Sequence, residues 1–323
     1  MANAVQVHKV GGPDALVYET IEVGAPGQGQ IKLKQHAIGV NYIDVYQRTG
    51  LYPQAGVFSP GNEGAGEVMA VGPGVTDLKV GDRVAYAGSI GGYATERLIQ
   101  ADRVVKLPDG IDYKTAAAMM LQGMTVRYLV RKTYKVGPGT TCLWHAAAGG
   151  VGLIACQWVK HLGGTLIGTA GGADKCKLAL ANGAAHCIDY KTEDFVARVK
   201  EITGGKLCDV VYDSIGKDTF PKSLDCLKPL GLFVTFGNAS GPIEAFNAGI
   251  LAAKGSLYMT RPSLAAYTAS RADLVETAND LFDVVKKGAV KIAVNHTYAL
   301  KDAAQAHKDL EARKTTGSIV LIP

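Results

Sequence analysis

A chain of 323 residues, 47% hydrophobic and 20% charged, is long enough for about two globular domains and too apolar to remain disordered. Its formal net charge of +5, spread along the chain, argues against a nucleic-acid partner and suits an anionic small molecule. No apolar run reaches the roughly 18–20 residues that span a bilayer, and no targeting pattern opens the chain. The six cysteines form no CxxC pair, as expected of free thiols in a reducing cytosol.

Up to about residue 110 the chain reads as short strands punctuated by Gly and Pro. Residues 1–10 enter a strand through Ala4-Val5-Gln6-Val7, and residues 31–38 alternate as a half-buried strand should. Strands at 66–71 and 83–86 follow, set apart by Gly72-Pro73-Gly74 and Gly81-Asp82. This pattern predicts a mostly β domain. Residues 112–130 have helix-forming composition and lead to the turn Val136-Gly137-Pro138-Gly139.

Beyond that turn, strands and helices alternate. Strands are expected over 141–145, 165–169, 187–189, 209–213 and 231–236, and helices over 150–162, 174–181, 195–202 and 220–227. Repeated units of this kind build a doubly wound parallel sheet with helices on both faces, the Rossmann arrangement. The chain leaves the alternation through residues 255–262. Helices at 274–287 and 303–311 and a strand at 318–322 close it. These last elements are expected to pack back on the N-terminal domain.

The most informative motif is His145-Ala146-Ala147-Ala148-Gly149-Gly150-Val151-Gly152, between a strand and a helix. It is a GxGxxG variant in which Ala147 takes the first position and Gly149 and Gly152 the others. Small residues let the turn tighten, let the backbone approach a pyrophosphate, and let the helix pack closely on its strand. The helix N-terminus then offers N–H groups and positive dipole to the phosphates. An NAD site usually carries Asp or Glu about 20 residues later. Here that stretch is Gly168-Thr169-Ala170-Gly171-Gly172, followed by Asp174-Lys175, which points to NADPH with Lys175 on the 2′-phosphate. Lys175 as a solvent-facing helix residue is the plain alternative. Tyr190, ending the next strand, either closes over the same phosphate or is an ordinary sheet-end tyrosine.

These residues, with Asn41-Tyr42-Ile43-Asp44, Gly61-Asn62-Glu63-Gly64-Ala65-Gly66 and Gly81-Asp82-Arg83-Val84, resemble the medium-chain dehydrogenase/reductase superfamily. Within it, the chain is similar to the zeta-crystallin-type quinone oxidoreductases. Agreement continues through Arg48-Thr49-Gly50-Leu51-Tyr52-Pro53, Tyr212-Asp213-Ser214-Ile215-Gly216, Phe236-Gly237-Asn238 and Gly255-Ser256-Leu257-Tyr258. The resemblance implies a GroES-like catalytic domain of residues 1–124 and 262–323, with a Rossmann NADPH domain of residues 125–261 inserted in it. It further implies an interdomain cleft for the nicotinamide and a homodimer joined through the cofactor domains. Asn41, Thr125, Ala147, Gly149, Gly150, Val151, Gly152, Gly171, Lys175, Tyr190, Ser214, Phe236 and Asn238 are its expected NADPH residues. Tyr46 and Tyr52, with Asn41 and Arg261, are expected at the quinone.

Zinc-dependent relatives place Cys where Asn41 stands and His where Asn62 stands, and carry a four-Cys lobe. This chain has no Cys before Cys142 and no paired histidines, which predicts an enzyme without zinc. With no nucleophilic triad in view, the expected chemistry is transfer of reducing equivalents from NADPH to a quinone, the protein supplying position and exclusion of water. Tyr46 or Tyr52 could hydrogen-bond a quinone oxygen, or could simply pack the Gly-Leu-Tyr-Pro turn. Asn41 and Asp44 are either cleft residues or turn formers. Two rivals stand beside this reading. One is an NADPH-dependent reductase of enones or 2-alkenals; the other is a non-enzymatic NADPH-binding protein, crystallin-like or RNA-binding. The absence of a basic-aromatic stripe argues against RNA.

Overall fold

The computed structural model describes residues 1–323. The chain divides into two units, one of Met1–Met124, Thr268–Lys286 and Ile292–Pro323, the other of Thr125–Tyr267 and Lys287–Lys291.

The first unit opens with β1 (Ala2–Val7) paired antiparallel to β2 (Leu16–Ile21). The alternating stretch near residue 31 becomes β3 (Gln30–Val40), whose apolar side chains can all reach a core. Helix α1 (Tyr42–Thr49) follows and stops at Gly50, which takes the left-handed conformation that glycine reaches without steric cost. Then come β4 (Glu63–Val71), β5 (Arg83–Ala87), β6 (Glu96–Gln100) and β7 (Val104–Lys106). The helical composition expected over 112–130 resolves into α2 (Tyr113–Ala117), α3 (Met120–Tyr128) and a π-helical turn, Leu129–Thr133. A physical reason lies at the break: the Leu121 N–H is taken by the side chain of Glu63, so a new helix starts on an acceptor from β4.

The second unit alternates as expected: β8 (Thr141–Trp144), α4 (Gly150–His161), β9 (Thr165–Ala170), α5 (Ala173–Ala181), β10 (His186–Asp189), α6 (Phe195–Ile202), β11 (Cys208–Asp213) and β12 (Leu227–Thr235). The helix expected over 220–227 is only a 3-10 turn, Lys222–Cys226, entered from Pro221, with Leu224 N–H bonded back three residues. After α7 (Gly249–Ala253), residues 258–260 form β13 (Tyr258–Thr260), a sixth strand too short to show a period in sequence, and then α8 (Leu264–Tyr267). All pairings are parallel in the order β10-β9-β8-β11-β12-β13. That is the doubly wound arrangement, whose ligand crevice opens at the carboxyl ends of the strands where the order reverses, beside β8. Leu143, Ile167, Val211 and Phe233 fill its core from the sheet.

The closing elements are α9 (Arg271–Lys286), β14 (Val294–Ala299), α10 (Ala303–Glu311) and β15 (Ser318–Ile322). β15 joins the first unit's sheet beside β3, giving β14-β15-β3-β4-β5-β7 with β6 also on β3. Its core has two parts, one around Val5, Ile38, Tyr93 and Leu321, the other around Ile31, Val68, Tyr86 and Val104.

Candidate functional site

In the second unit, the chain leaves β8 and turns within five residues into α4. Ala147 N–H bonds the Thr169 carbonyl at 2.9 Å, and Gly149 N–H bonds the Ala146 carbonyl at 3.0 Å. The left-handed residue of the turn is Ala146, with φ 56°, so an alanine carries the conformation that glycine usually takes. A Cβ on Gly152 would stand 2.6 Å from the Ala147 Cα, and one on Gly168 would stand 2.6 Å from the Ala147 Cβ. Small residues are therefore required at 147, 152 and 168 for helix and strand to meet. Gly149 caps α4 with no side chain, which leaves the first-turn N–H groups to a ligand, with Gly150 and Val151 half-buried beside them.

Two further loops border the same crevice. Asp213 Oδ1 accepts the N–H of Ile215 at 2.7 Å and of Gly216 at 3.0 Å, folding the loop that carries Ser214. Phe236 N–H bonds the Asp213 carbonyl at 2.7 Å, and a Cβ on Gly237 would meet the Ser214 carbonyl oxygen at 2.6 Å. Ser214, Phe236 and Asn238 thus lie together past the ends of β11 and β12. Arg261 joins them, donating to Thr235 Oγ1 at 2.8 Å and to the Gly237 carbonyl at 2.9 Å. His145, buried beneath, bonds Thr169 Oγ1 and Ser223 Oγ at 2.9 Å each, and burial lowers its pKa, so it is neutral. Thr125 is buried on α3.

The outer end of the crevice has the features of an anion site. β9 ends at Ala170-Gly171, and the Tyr190 hydroxyl lies 2.5 Å from where a Gly171 Cβ would stand, so the ring reaches the glycine main chain. Lys175 is half-buried in the first turn of α5. Asp174 points to solvent and pairs with Lys177 at 3.5 Å. Asp189 has its Oδ1 engaged by the N–H groups of Gly172 at 2.8 Å and Lys191 at 3.1 Å. No carboxylate ends β9, and a lysine, a phenol and a helix N-terminus converge there. These residues fit a dinucleotide bearing an extra phosphate on its adenosine ribose.

The first unit gathers a different set. Asn41 precedes α1 and forms a capping box with Asp44, and its carboxamide also turns inward: Nδ2 donates to Glu63 Oε2 at 2.7 Å and Oδ1 accepts from Gln122 Nε2 at 3.1 Å. Asp44 Oδ2 accepts the Asn41 N–H at 2.9 Å and the Tyr93 hydroxyl at 3.1 Å, while Oδ1 accepts from Asn62 Nδ2 at 2.8 Å. Asp44 is therefore a wholly buried acceptor that also caps the start of α1. Burial pushes its carboxyl up to about 6, and pushes Glu63 up to about 8. Tyr46 and Tyr52 meet edge-on at 5.2 Å, with Tyr42 6.1 Å from Tyr46. The donors at 41 and 62 are amides already committed to carboxylates, and no group of three or more His, Cys, Asp or Glu forms a metal cage. That donor set does not fit zinc.

Glu63, Gln122 and the ion pair of the buried Arg48 with Glu311 were not singled out from sequence. Their only signal was a charged or amide residue within otherwise apolar or small-residue runs, which does not say where its partner lies.

Comparison with known proteins agrees with both units. Residues 27–109 match the alcohol dehydrogenase GroES-like domain, and residues 150–283 match the zinc-binding dehydrogenase domain. A quinone oxidoreductase of Pseudomonas aeruginosa is 51% identical, with 100% of each chain covered. A 2-haloacrylate reductase of a Burkholderia species is 47% identical, covering 100% of this chain and 99% of its own. The crystal structure of Escherichia coli quinone oxidoreductase complexed with NADPH superimposes with a TM-score of 0.98 at 50% identity, covering 99% of this chain and 100% of that one.

Proposed function

The chain belongs to the quinone oxidoreductase family of zinc-independent medium-chain dehydrogenase/reductases, and on that premise we propose that it transfers reducing equivalents from NADPH to a quinone. The observation that carries this reading is the small-residue turn at 145–152, with an uncapped helix behind it and Lys175 and Tyr190 at its outer end.

The α4 N-terminus and the main chain of Ala147, Gly149, Gly150, Val151 and Gly152 would hold the pyrophosphate. Lys175 and Tyr190, over Gly171, would hold the 2′-phosphate; Thr125, Ser214, Phe236 and Asn238 would bind the nicotinamide end, with Asn41. NADPH, when bound, supplies the hydride. Tyr46 and Tyr52 are the residues we assign to the quinone, together with Asn41 and Arg261. A phenol hydroxyl can donate to a quinone oxygen as negative charge develops there, and aromatic walls exclude water.

We assign residues 1–124 and 262–323 to the substrate and residues 125–261 to the coenzyme. We further propose a homodimer formed through the coenzyme units. β13 is the edge strand of its sheet, and Tyr258 on it and Leu230 in the first half of neighbouring β12 are 62% and 64% exposed. Six free thiols suit a reducing cytosol.

Side-by-side turnover of NADPH with a panel of quinones, enones and 2-alkenals tests the substrate class. Higher kcat/KM for quinones is expected. Preference for the activated C=C acceptors would instead make the chain an enone reductase.

A further inference from the structure

Glu63 is wholly buried at the start of β4, and the partners of its carboxyl are amide groups. Asn41 Nδ2 lies 2.7 Å from Oε2, and the Leu121 N–H donates to Oε1 at 2.8 Å. The titratable groups facing it are Asp44 from α1 and Tyr93 from the loop before β6; β3 presents Gly39 and α3 presents backbone N–H. Arg48 and His307 join the cluster through Tyr93, whose hydroxyl lies 2.9 Å from His307 Nε2, and Arg48 Nη1 lies 3.2 Å from His307 Nδ1. No cation touches Glu63, and a second buried carboxyl stands near it. Like charges buried without a counter-ion favour a proton on one of the two.

Hydrogen-bond counting says which. Asp44 accepts from Asn62, from the Asn41 and Gly61 N–H groups and from Tyr93, so its charge is well met. Glu63 instead heads a chain. Asn41 Oδ1 accepts from Gln122 Nε2 at 3.1 Å, Gln122 Oε1 lies 2.8 Å from Ser318 Oγ, and Ser318 Oγ lies 2.9 Å from the Ala118 carbonyl. With Glu63 ionised, hydrogens run from Ser318 toward Glu63, and the one hydroxyl hydrogen of Ser318 faces two acceptors. A carboxamide keeps its shape after a half-turn, so the chain can also run outward from Glu63. Then the Glu63 O–H donates to Asn41, Asn41 to Gln122, Gln122 to Ser318, and Ser318 to Ala118. Each donor meets one acceptor, and only a protonated Glu63 permits it.

We propose that Glu63 is a positioning residue whose proton sets the orientation of the Asn41 carboxamide, so that gaining or losing that proton exchanges the N–H and C=O that Asn41 offers a ligand. An amide that presented a donor presents an acceptor after the exchange. Burial holds the Glu63 carboxyl at about 8, which puts the exchange just above neutrality. The ligand half of this inference rests on Asn41 meeting NADPH or quinone; the proton on Glu63 does not.

Glu63→Gln is the decisive variant. Its side-chain oxygen must still accept from Leu121, so its NH2 faces Asn41 and locks the protonated direction. Infrared spectroscopy of the ligand-free protein should show a protonated-carboxyl C=O band at pH about 7 that fades above about 8 and is missing from E63Q. NADPH titration should show a break in the parent's Kd near the same pH, lost in E63Q. No E63Q-dependent carboxyl band, or an unchanged break in Kd, overturns the proposal. If E63Q fails to fold by circular dichroism, Asn41→Ala removes the turning carboxamide while leaving Glu63 in place and should keep the band while losing the break; a retained break overturns it equally. A parent that binds no NADPH at any pH defeats the functional reading, while the infrared band still decides the proton.

Discussion

Lys175 stands in the first turn of α5, half-buried, beside a strand end with no carboxylate. A charge-assisted hydrogen bond to a phosphate contributes about 1.5–3 kcal/mol, so Lys175→Ala should raise the KM for NADPH roughly 10–100-fold. NADH lacks the phosphate and should be little affected. Equal effects on both, in steady-state kinetics, would remove Lys175 from that role. Gly152 is constrained more tightly, because a Cβ there collides with the main chain of the turn. Gly152→Ala should abolish measurable NADPH binding in a fluorescence titration while the far-UV spectrum persists; binding at parental strength would contradict the cradle. Glu63 and His307 also make stability depend on pH, in opposite directions. A carboxyl raised from about 4.5 to about 8 gives stability that is full below about 4.5 and is lost as pH climbs through about 8. A buried histidine lowered from 6.5 to about 3 gives stability that is present above 6.5 and is lost as pH falls toward 3. Melting curves across pH should therefore show E63Q gaining on the parent as pH rises from about 4.5 to about 8, and holding that gain above it. A constant difference would contradict a raised Glu63.

Helix α1 carries Tyr42 and Tyr46 and begins just after Asn41, so its anchorage bears directly on the first unit's site. Arg48, 1% exposed, grips α10 through a bidentate bond to Glu311 with both contacts at 2.8 Å, and also donates to the Gly11 carbonyl at 3.1 Å. Removing one partner of a fully buried pair costs about 3–5 kcal/mol. Glu311 is 34% exposed, so Glu311→Ala should cost less, about 2–3 kcal/mol, in urea denaturation. A loss below about 0.5 kcal/mol would mean that the pair behaves as a surface one. The helix itself was hidden in the sequence: Tyr42–Thr49 mixes Asp44, Gln47 and Arg48 with its apolar residues, and all three charged or amide side chains turn inward. Periodicity cannot register a buried face that is polar. The βα units of the second unit were legible, because their strands are continuous apolar runs and their turns are glycine-marked. Residues 112–130 and 220–227 misled for a different reason. Composition favours helix in both, but a side-chain acceptor from β4 and a proline set the local hydrogen bonding instead.

At the scale of the molecule, the glycine turn and its missing acid were readable because their meaning is local: small residues, a strand before, a helix after. The Asn41–Glu63–Gln122–Ser318 chain was not, because it joins β4, α3 and β15 across up to 277 positions of sequence. Self-association belongs to this scale as well. If the coenzyme units pair along β13, Tyr258→Asp should shift the protein from dimer to monomer in sedimentation velocity, because a carboxylate at the buried centre of an interface goes unpaired. Unchanged sedimentation would place the contact elsewhere. If a small-residue cradle with Lys175 at its end holds NADPH, a quinone should take its reducing equivalents without zinc. Anaerobic single turnover of the NADPH-loaded protein, treated with a chelator and mixed with 1,4-benzoquinone, tests it most directly. Loss of the NADPH absorbance is expected only when quinone is added, at a rate the chelator leaves unchanged. NADPH that stays reduced with every quinone offered, or turnover that the chelator abolishes, would contradict it.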